Sequence, residues 1–225
     1  MGYLGRRIGL SQDKGDSNPG AAGGAVGGGI LDLFAHGYFE QQGDLYNAPG
    51  IAVSGLTATG GVINDYTSGS DVYRAHIFTS SGALNVTALG NLGTNVEYLV
   101  VAGGGGGGSQ RGGGGGAGGL RTNLSGHPRA GSATPVSVQT YPVTVGAGGG
   151  KSYQSGKRGV SGGPSTWNSI TSTGGGGGAG NTEPNGLPGG SGGGAGDNNK
   201  TGNGAGNTPP ASPSQGNAGG QVNDP

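Results

Sequence analysis

Uninterrupted glycine runs constrain this chain more than any other feature. Gly103–Gly108 and Gly174–Gly178 are pure glycine, and 146–150 is broken only by Ala147. Such runs offer no Cβ to bury, and glycine loses more conformational freedom on folding than any other residue. Order in these stretches must come from backbone hydrogen bonds or from neighbouring chains. The rest of the composition does not make up the deficit. Leu, Ile, Val and Phe together number 36 of 225 residues, below the roughly one-fifth share at which globular folding becomes doubtful. Eleven basic and eleven acidic residues cancel, so the high net charge that usually accompanies disorder is missing. Collagen is excluded because the glycines keep no Gly-X-Y register. A monomeric enzyme with one large apolar core is not expected.

Other classes fall away as directly. The sequence has no cysteine, hence no disulfide, no thiolate metal site and no cysteine nucleophile. Its longest apolar run, Tyr98–Ala102, is far too short to cross a bilayer, so membrane insertion is not expected. Arg6 and Arg7 are not followed by an apolar stretch, and the N-terminus does not read as a secretory signal.

Composition divides the chain. Residues 1–100 hold 20 glycines and 101–225 hold 42, whereas 22 of the 36 large apolar residues lie between Ile30 and Val101. Residues 1–29 have no period long enough to fold alone. Tyr3, Leu4, Arg6, Arg7, Ile8 and Leu10 suit an extended arm that docks on another protein. Residues 30–102 read as a small antiparallel β unit. Within it, Val72–Phe78 is the clearest strand, and with Thr79–Gly82 and Ala83–Thr87 it predicts a hairpin. Val96–Val101 is apolar on both faces apart from Glu97, the pattern of a central strand covered on both sides. Residues 103–173 form a glycine-rich β domain with strands at Pro135–Val145 and Ser165–Thr171. A strand running into polyglycine thus occurs three times, a weak internal repeat. Residues 174–225 are a Gly/Asn/Pro-rich extended segment with only Leu187 and Val222 to pack. No segment holds a helical period over three turns. The fold class is all-β, a small antiparallel sandwich-like unit with glycine-rich loops. Tyr73, Ile77, Phe78, Leu84, Val86, Tyr98, Leu99, Val100, Val101, Val143, Val145 and Trp167 are its candidate β core and oligomer contacts.

The sequence carries no catalytic constellation. Gly103–Gly108 matches a dinucleotide fingerprint trivially, but no carboxylate follows until Glu183, so the ribose contact is missing. Gly150-Lys151-Ser152 resembles the end of a phosphate loop, yet the first glycine of that pattern is replaced by Val145. His36, His76 and His127 stand far apart without a second ligand at metal spacing. No nucleophile elbow is present, and neither a cofactor nor a metal is expected. Six basic residues and no carboxylate lie between Arg111 and Arg158. With one Arg-Gly-Gly and few aromatics, that stretch is too dilute for single-strand nucleic-acid binding. The aromatics near it are Tyr141, Tyr153 and Trp167, and an exposed Tyr/Trp pair on such loops would suit contact with carbohydrate.

The order Val96–Gly108, Tyr141–Gly149, Ser165–Trp167 and Gly174–Gly180 resembles the glycine-rich domain of bacteriophage tail fibres and adhesins. The lead-in from Gly55 to Phe78 is similar to what precedes that domain in structural proteins of marine phages. The resemblance covers about residues 55–220. It implies a virion protein, a fibre or fibre base, anchored through its N-terminus to tail, neck or capsid proteins. A glycine-rich stem would project toward a host surface glycan or protein. It also implies glycine tracts packed as polyglycine II helices, and association of the chain with itself, as a trimer. The Gly219–Pro225 end lacks a compact terminal module, so receptor contact there is not expected. A capsid decoration protein and an extracellular glycine-rich matrix protein are the alternative readings.

Overall fold

The computed structural model describes residues 54–69, 71–199 and 201–222. It is all-β; among the described residues every assigned element is a strand. The strands are β1 (Thr57–Thr59), β2 (Val62–Ser68), β3 (Asp71–Ile77), β4 (Gly82–Ala88), β5 (Asn95–Val96), β6 (Leu99–Val101), β7 (Leu120–Thr122), β8 (Thr134–Pro135), β9 (Thr140–Thr144), β10 (Ser165–Trp167) and β11 (Ile170–Ser172). The main sheet has the order β1-β4-β9-β10-β11, with antiparallel pairing throughout. It therefore joins strands from opposite sides of the first glycine run. Pairs β2–β3, β5–β8 and β6–β7 are separate antiparallel ladders.

One apolar cluster serves the sheet end of the molecule. Ala58, Val86, Val100, Val136, Tyr141, Val143 and Trp167 are buried, with Leu84, Phe78, Tyr98, Val145 and Ile170 packed against them. The period of two along β4 and β9 sends Val86, Tyr141 and Val143 to the same side. Trp167 lies between Tyr98 and Tyr141, with ring centroids 6.0 and 6.1 Å away in tilted geometry. Two half-buried polar ties complete the region. Tyr141 Oη accepts from Ser137 N at 2.7 Å, and Thr122 Oγ1 donates to Tyr98 O at 2.8 Å.

Beyond this cluster the molecule is held by backbone. Lateral hydrogen bonds recur every third residue. Residues 102, 105 and 108 donate to 119, 116 and 113, while 103, 106 and 109 donate to 163, 160 and 157. Residues 175, 178 and 181 donate in turn to 103, 106 and 109. A three-residue step is that of an extended helix with three residues per turn, which has no internal bonds and turns successive N–H groups toward different neighbours. The segment 173–181 sits at the centre, bonded to 102–109, 111–120, 157–163, 184–190 and 191–197. Residues 174–180 are buried along their whole length. This centre contains no large side chain, and its packing explains why. A Cβ on Gly175, Gly176 or Gly178 would run into the backbone carbonyl of Gly116, Leu187 or Gly113 respectively.

Several sequence expectations change on this fold. The strand at Val72–Phe78 exists, but β3 pairs with β2 along Val62–Ser68, not with β4. The cross-strand contacts Asp65–Arg74 and Tyr66–Tyr73 accompany that pairing, and β4 instead takes β1 and β9 as partners. Val96–Val101 is not a central strand covered on both sides in the single chain. It splits into β5 and β6, and β6 pairs only with β7, leaving Leu99 58% and Val101 50% exposed. Ser165–Thr171 is a tight hairpin, not one strand, because Asn168 takes φ +53 and reverses the chain between Trp167 and Ile170. Pro135–Val145 is likewise divided into β8 and β9. Residues 174–199 and 201–222 bond laterally into the bundle.

Candidate functional site

The polarity of the glycine-rich segments sorts their connections onto one end. Segments 146–152 and 173–181 run parallel to 102–109, as the bonds 149→104, 152→107, 175→103 and 178→106 require. Segment 191–197 runs parallel to 173–181 through the bonds 176→191 and 179→194. The intervening segments 111–120, 157–163 and 184–190 are antiparallel to them. It follows that the turns at 109–112, 152–157 and 181–184, and the one that begins at 197–199, share the end remote from the strands β6, β9 and β11 that feed the bundle. This tip is the candidate site.

Side chains and turn backbone lock the tip loops to one another. Ser109 Oγ donates to Gln154 O at 2.6 Å, and Asn198 Nδ2 donates to Asn181 O at 2.7 Å. Thr182 Oγ1 reaches Gly156 O at 3.0 Å. Glu183 gathers the loop at 152–157: Oε1 meets Lys157 Nζ at 3.1 Å, and Oε2 accepts from Arg158 N at 3.1 Å and from Arg158 Nε at 3.4 Å. The Arg158 amide first, then the Lys157 ammonium, hold the Glu183 carboxyl at about 2, below its ordinary 4.5. Arg111 Nη1 pairs with Asp197 Oδ2 at 3.4 Å. Gln110 and Arg111 turn the first loop with φ near +50.

What the tip presents is one large aromatic in a basic surround. Tyr153 is 87% exposed, and Lys151 Nζ lies 5.1 Å from its ring centroid. Arg111, Lys151, Lys157 and Arg158 stand against Glu183 and Asp197, so the tip carries a basic excess. An exposed phenol ring among cations suits stacking against a sugar ring or contact with an anionic group. The Tyr/Trp pair anticipated for such contact is not formed, because Trp167 is buried in the sheet cluster.

The remaining sequence candidates distribute as follows. Val86, Val100, Val143 and Trp167 are buried in the apolar cluster, and Phe78, Leu84, Tyr98 and Val145 line it. Tyr73, Ile77, Leu99 and Val101 are exposed on the single chain. Tyr3, Leu4, Arg6, Arg7, Ile8 and Leu10 lie outside the described residues, as does His36. His76 Nδ1 is 2.8 Å from Gly60 O, and His127 Nδ1 accepts from Arg129 N at 3.1 Å. Among the described residues no group of three or more His, Cys, Asp or Glu is placed to hold a metal, and no helix is long and apolar enough to cross a membrane. At the sheet end, an open polar groove lies between Tyr98, Arg121, Ser132, Thr134, Thr171 and Ser212. Arg121 there reaches Ser212 O at 3.5 Å.

The tip was only partly legible in the sequence. Its basic residues were visible, but their convergence depends on bundle polarity, which glycine runs do not encode.

Comparison with curated proteins and with solved structures returned no match. The family model for the glycine-rich domain matches residues 79–224, taking in the main-sheet strands from β4 onward and the glycine-rich segments of the bundle. The chain belongs to the glycine-rich domain family.

Proposed function

We propose that this protein is a structural component of a bacteriophage particle, a fibre or fibre base that anchors through residues 1–29 and carries a glycine-rich stem outward. The observation that supports this best is the lateral bond network with its three-residue step. Packed polyglycine II-type segments make a stiff body without an apolar core, which suits a strut better than a catalyst. Gathering the turns on one end gives the strut a defined tip, with Tyr153 and the basic residues as its contact surface. Its partners are other virion proteins of tail, neck or capsid at one end and a host surface glycan or protein at the other. Self-association supplies buried surface that a chain this poor in large apolar residues lacks.

Mass spectrometry of purified phage particles tests the reading, combined with labelled-antibody electron microscopy. The protein is expected among the virion proteins, with label at the tail or its appendages. Label spread over the capsid lattice would favour a decoration protein, and absence from particles would overturn the proposal.

A further inference from the structure

Asparagine followed by glycine occurs twice in the chain, at Asn185-Gly186 and Asn203-Gly204. With no Cβ, glycine hinders least the attack of its own amide nitrogen on the Cγ of the preceding asparagine. The attacking nitrogen loses its proton and bonds to Cγ, the side-chain nitrogen leaves as ammonia, and a succinimide ring is formed. Water then opens the ring at either carbonyl. One opening leaves aspartate, and the other leaves isoaspartate, whose main chain is longer by one carbon. Water is the co-reactant, and neither an oxidant nor a reductant enters.

The fold holds both nucleophiles away from this reaction. Gly186 N donates to Gly202 O at 2.6 Å and Gly204 N to Gly193 O at 2.7 Å, each a lateral bond of the bundle. Both glycines are buried, although Asn185 is exposed and Asn203 half-buried. The side chains are held as well. Asn185 Oδ1 accepts from Asn199 Nδ2 at 2.6 Å. Asn203 Nδ2 donates to Gly219 O at 2.8 Å, and its Oδ1 accepts from Gln221 Nε2 at 3.1 Å. Attack therefore requires a lateral bond to break first, and its rate is that of the unfolded chain scaled by the fraction of time the segment is open.

The two aspartate products differ in what they disturb. An ionised carboxylate accepts hydrogen bonds and donates none. At position 185 it keeps the bond from Asn199 Nδ2, since only the oxygen of Asn185 is engaged. At position 203 the donor to Gly219 O is lost, and an anionic oxygen stands against that carbonyl. Gly219 lies in segment 217–222, which is tied to the bundle through the bonds 192→217, 195→220 and 219→204. Isoaspartate at either position lengthens the main chain and puts the three-residue step out of register beyond it.

We infer that Asn185-Gly186 and Asn203-Gly204 are self-modification sites kept silent by the lateral bonds, and that conversion of Asn203 to aspartate loosens segment 217–222 while conversion of Asn185 to aspartate does not. Incubation of the full chain in mildly alkaline buffer tests the first half, with the native protein compared against the chain in concentrated guanidinium chloride. Peptide mass spectrometry follows each site. Both should convert at least about tenfold more slowly in the native protein. Conversion of either site at its denatured rate in the native protein, or no conversion in denaturant, overturns the inference. Amide exchange at Gly219 tests the second half, with Trp167 fluorescence reporting that the sheet cluster is intact. Asn203→Asp should raise that exchange at least about tenfold, because a carbonyl is left without its donor and beside a charge. Asn185→Asp should leave it unchanged. If Asn203→Asp disturbs Trp167, Asn203→Ala takes its place; it removes the donor without adding charge and should still raise Gly219 exchange. A rise with Asn185→Asp equal to that at 203, or no rise in the variant of Asn203 that folds, overturns the inference.

Discussion

Gly106 and Gly104 are two residues apart in one glycine run and differ in what surrounds them. A Cβ on Gly106 would enter the space of the Gly150 carbonyl, whereas one on Gly104 would sit 3.7 Å from Gly116 O, an ordinary contact. Gly106→Ala should therefore cost about 1–3 kcal/mol, the usual penalty of overpacking. Gly104→Ala should be neutral or stabilise by about 0.4–1 kcal/mol through the unfolded chain. Denaturant unfolding followed by Trp167 fluorescence checks both. Equal effects would mean that the run is not packed as described. Gln215 makes a second test at this scale. It is buried, accepting from Thr173 N at 2.8 Å through Oε1 and donating to Pro209 O at 3.0 Å. Gln215→Leu leaves both groups unpaired and should destabilise the protein by about 1–3 kcal/mol in the same unfolding assay. Neither effect was legible in the sequence, where one glycine looks like another and Gln215 sits in a polar stretch.

At the level of elements, strands were more legible than their pairing. The β-branched and aromatic content of Val72–Phe78 marks β3 plainly, but partner choice depends on cross-strand contacts such as Asp65–Arg74, which no local pattern announces. Polar residues inside β2 (Asn64, Asp65, Thr67) hid it, because among the described residues nothing covers either of its faces. The glycine-rich segments show the opposite balance. Their composition announces that side chains do not hold them, while their neighbours and directions become visible only in the hydrogen bonds. The turns that join them bring a pH dependence. Glu183 ionises at about 2 when folded, against an ordinary 4.5. A depressed carboxylate contributes stability that is full above its unfolded value and lost as pH falls through the folded one. The tie between Glu183 and the loop at 152–157 should hold at neutral pH and weaken between about pH 4.5 and pH 2. Melting temperature against pH should fall over that window in the unaltered protein and fall less in Glu183→Gln; parallel curves would remove Glu183 from this role.

Taken whole, the molecule combines a small apolar cluster at the sheet end with a larger body stabilised by backbone hydrogen bonds. That division explains how a chain with so few large apolar residues forms a defined structure, and why its turns gather on one end. It also fits the family match, which spans sheet and bundle together. The bundle is held by lateral bonds with a three-residue step. Residue-resolved amide hydrogen exchange on the native protein tests it most directly. Gly103, Gly105, Gly106 and Gly108 donate to neighbouring segments, whereas Gly104 and Gly107 lie between the donors. Slow exchange is expected at the first four amides and fast exchange at Gly104 and Gly107. Uniform exchange along the run, fast or slow, would contradict it.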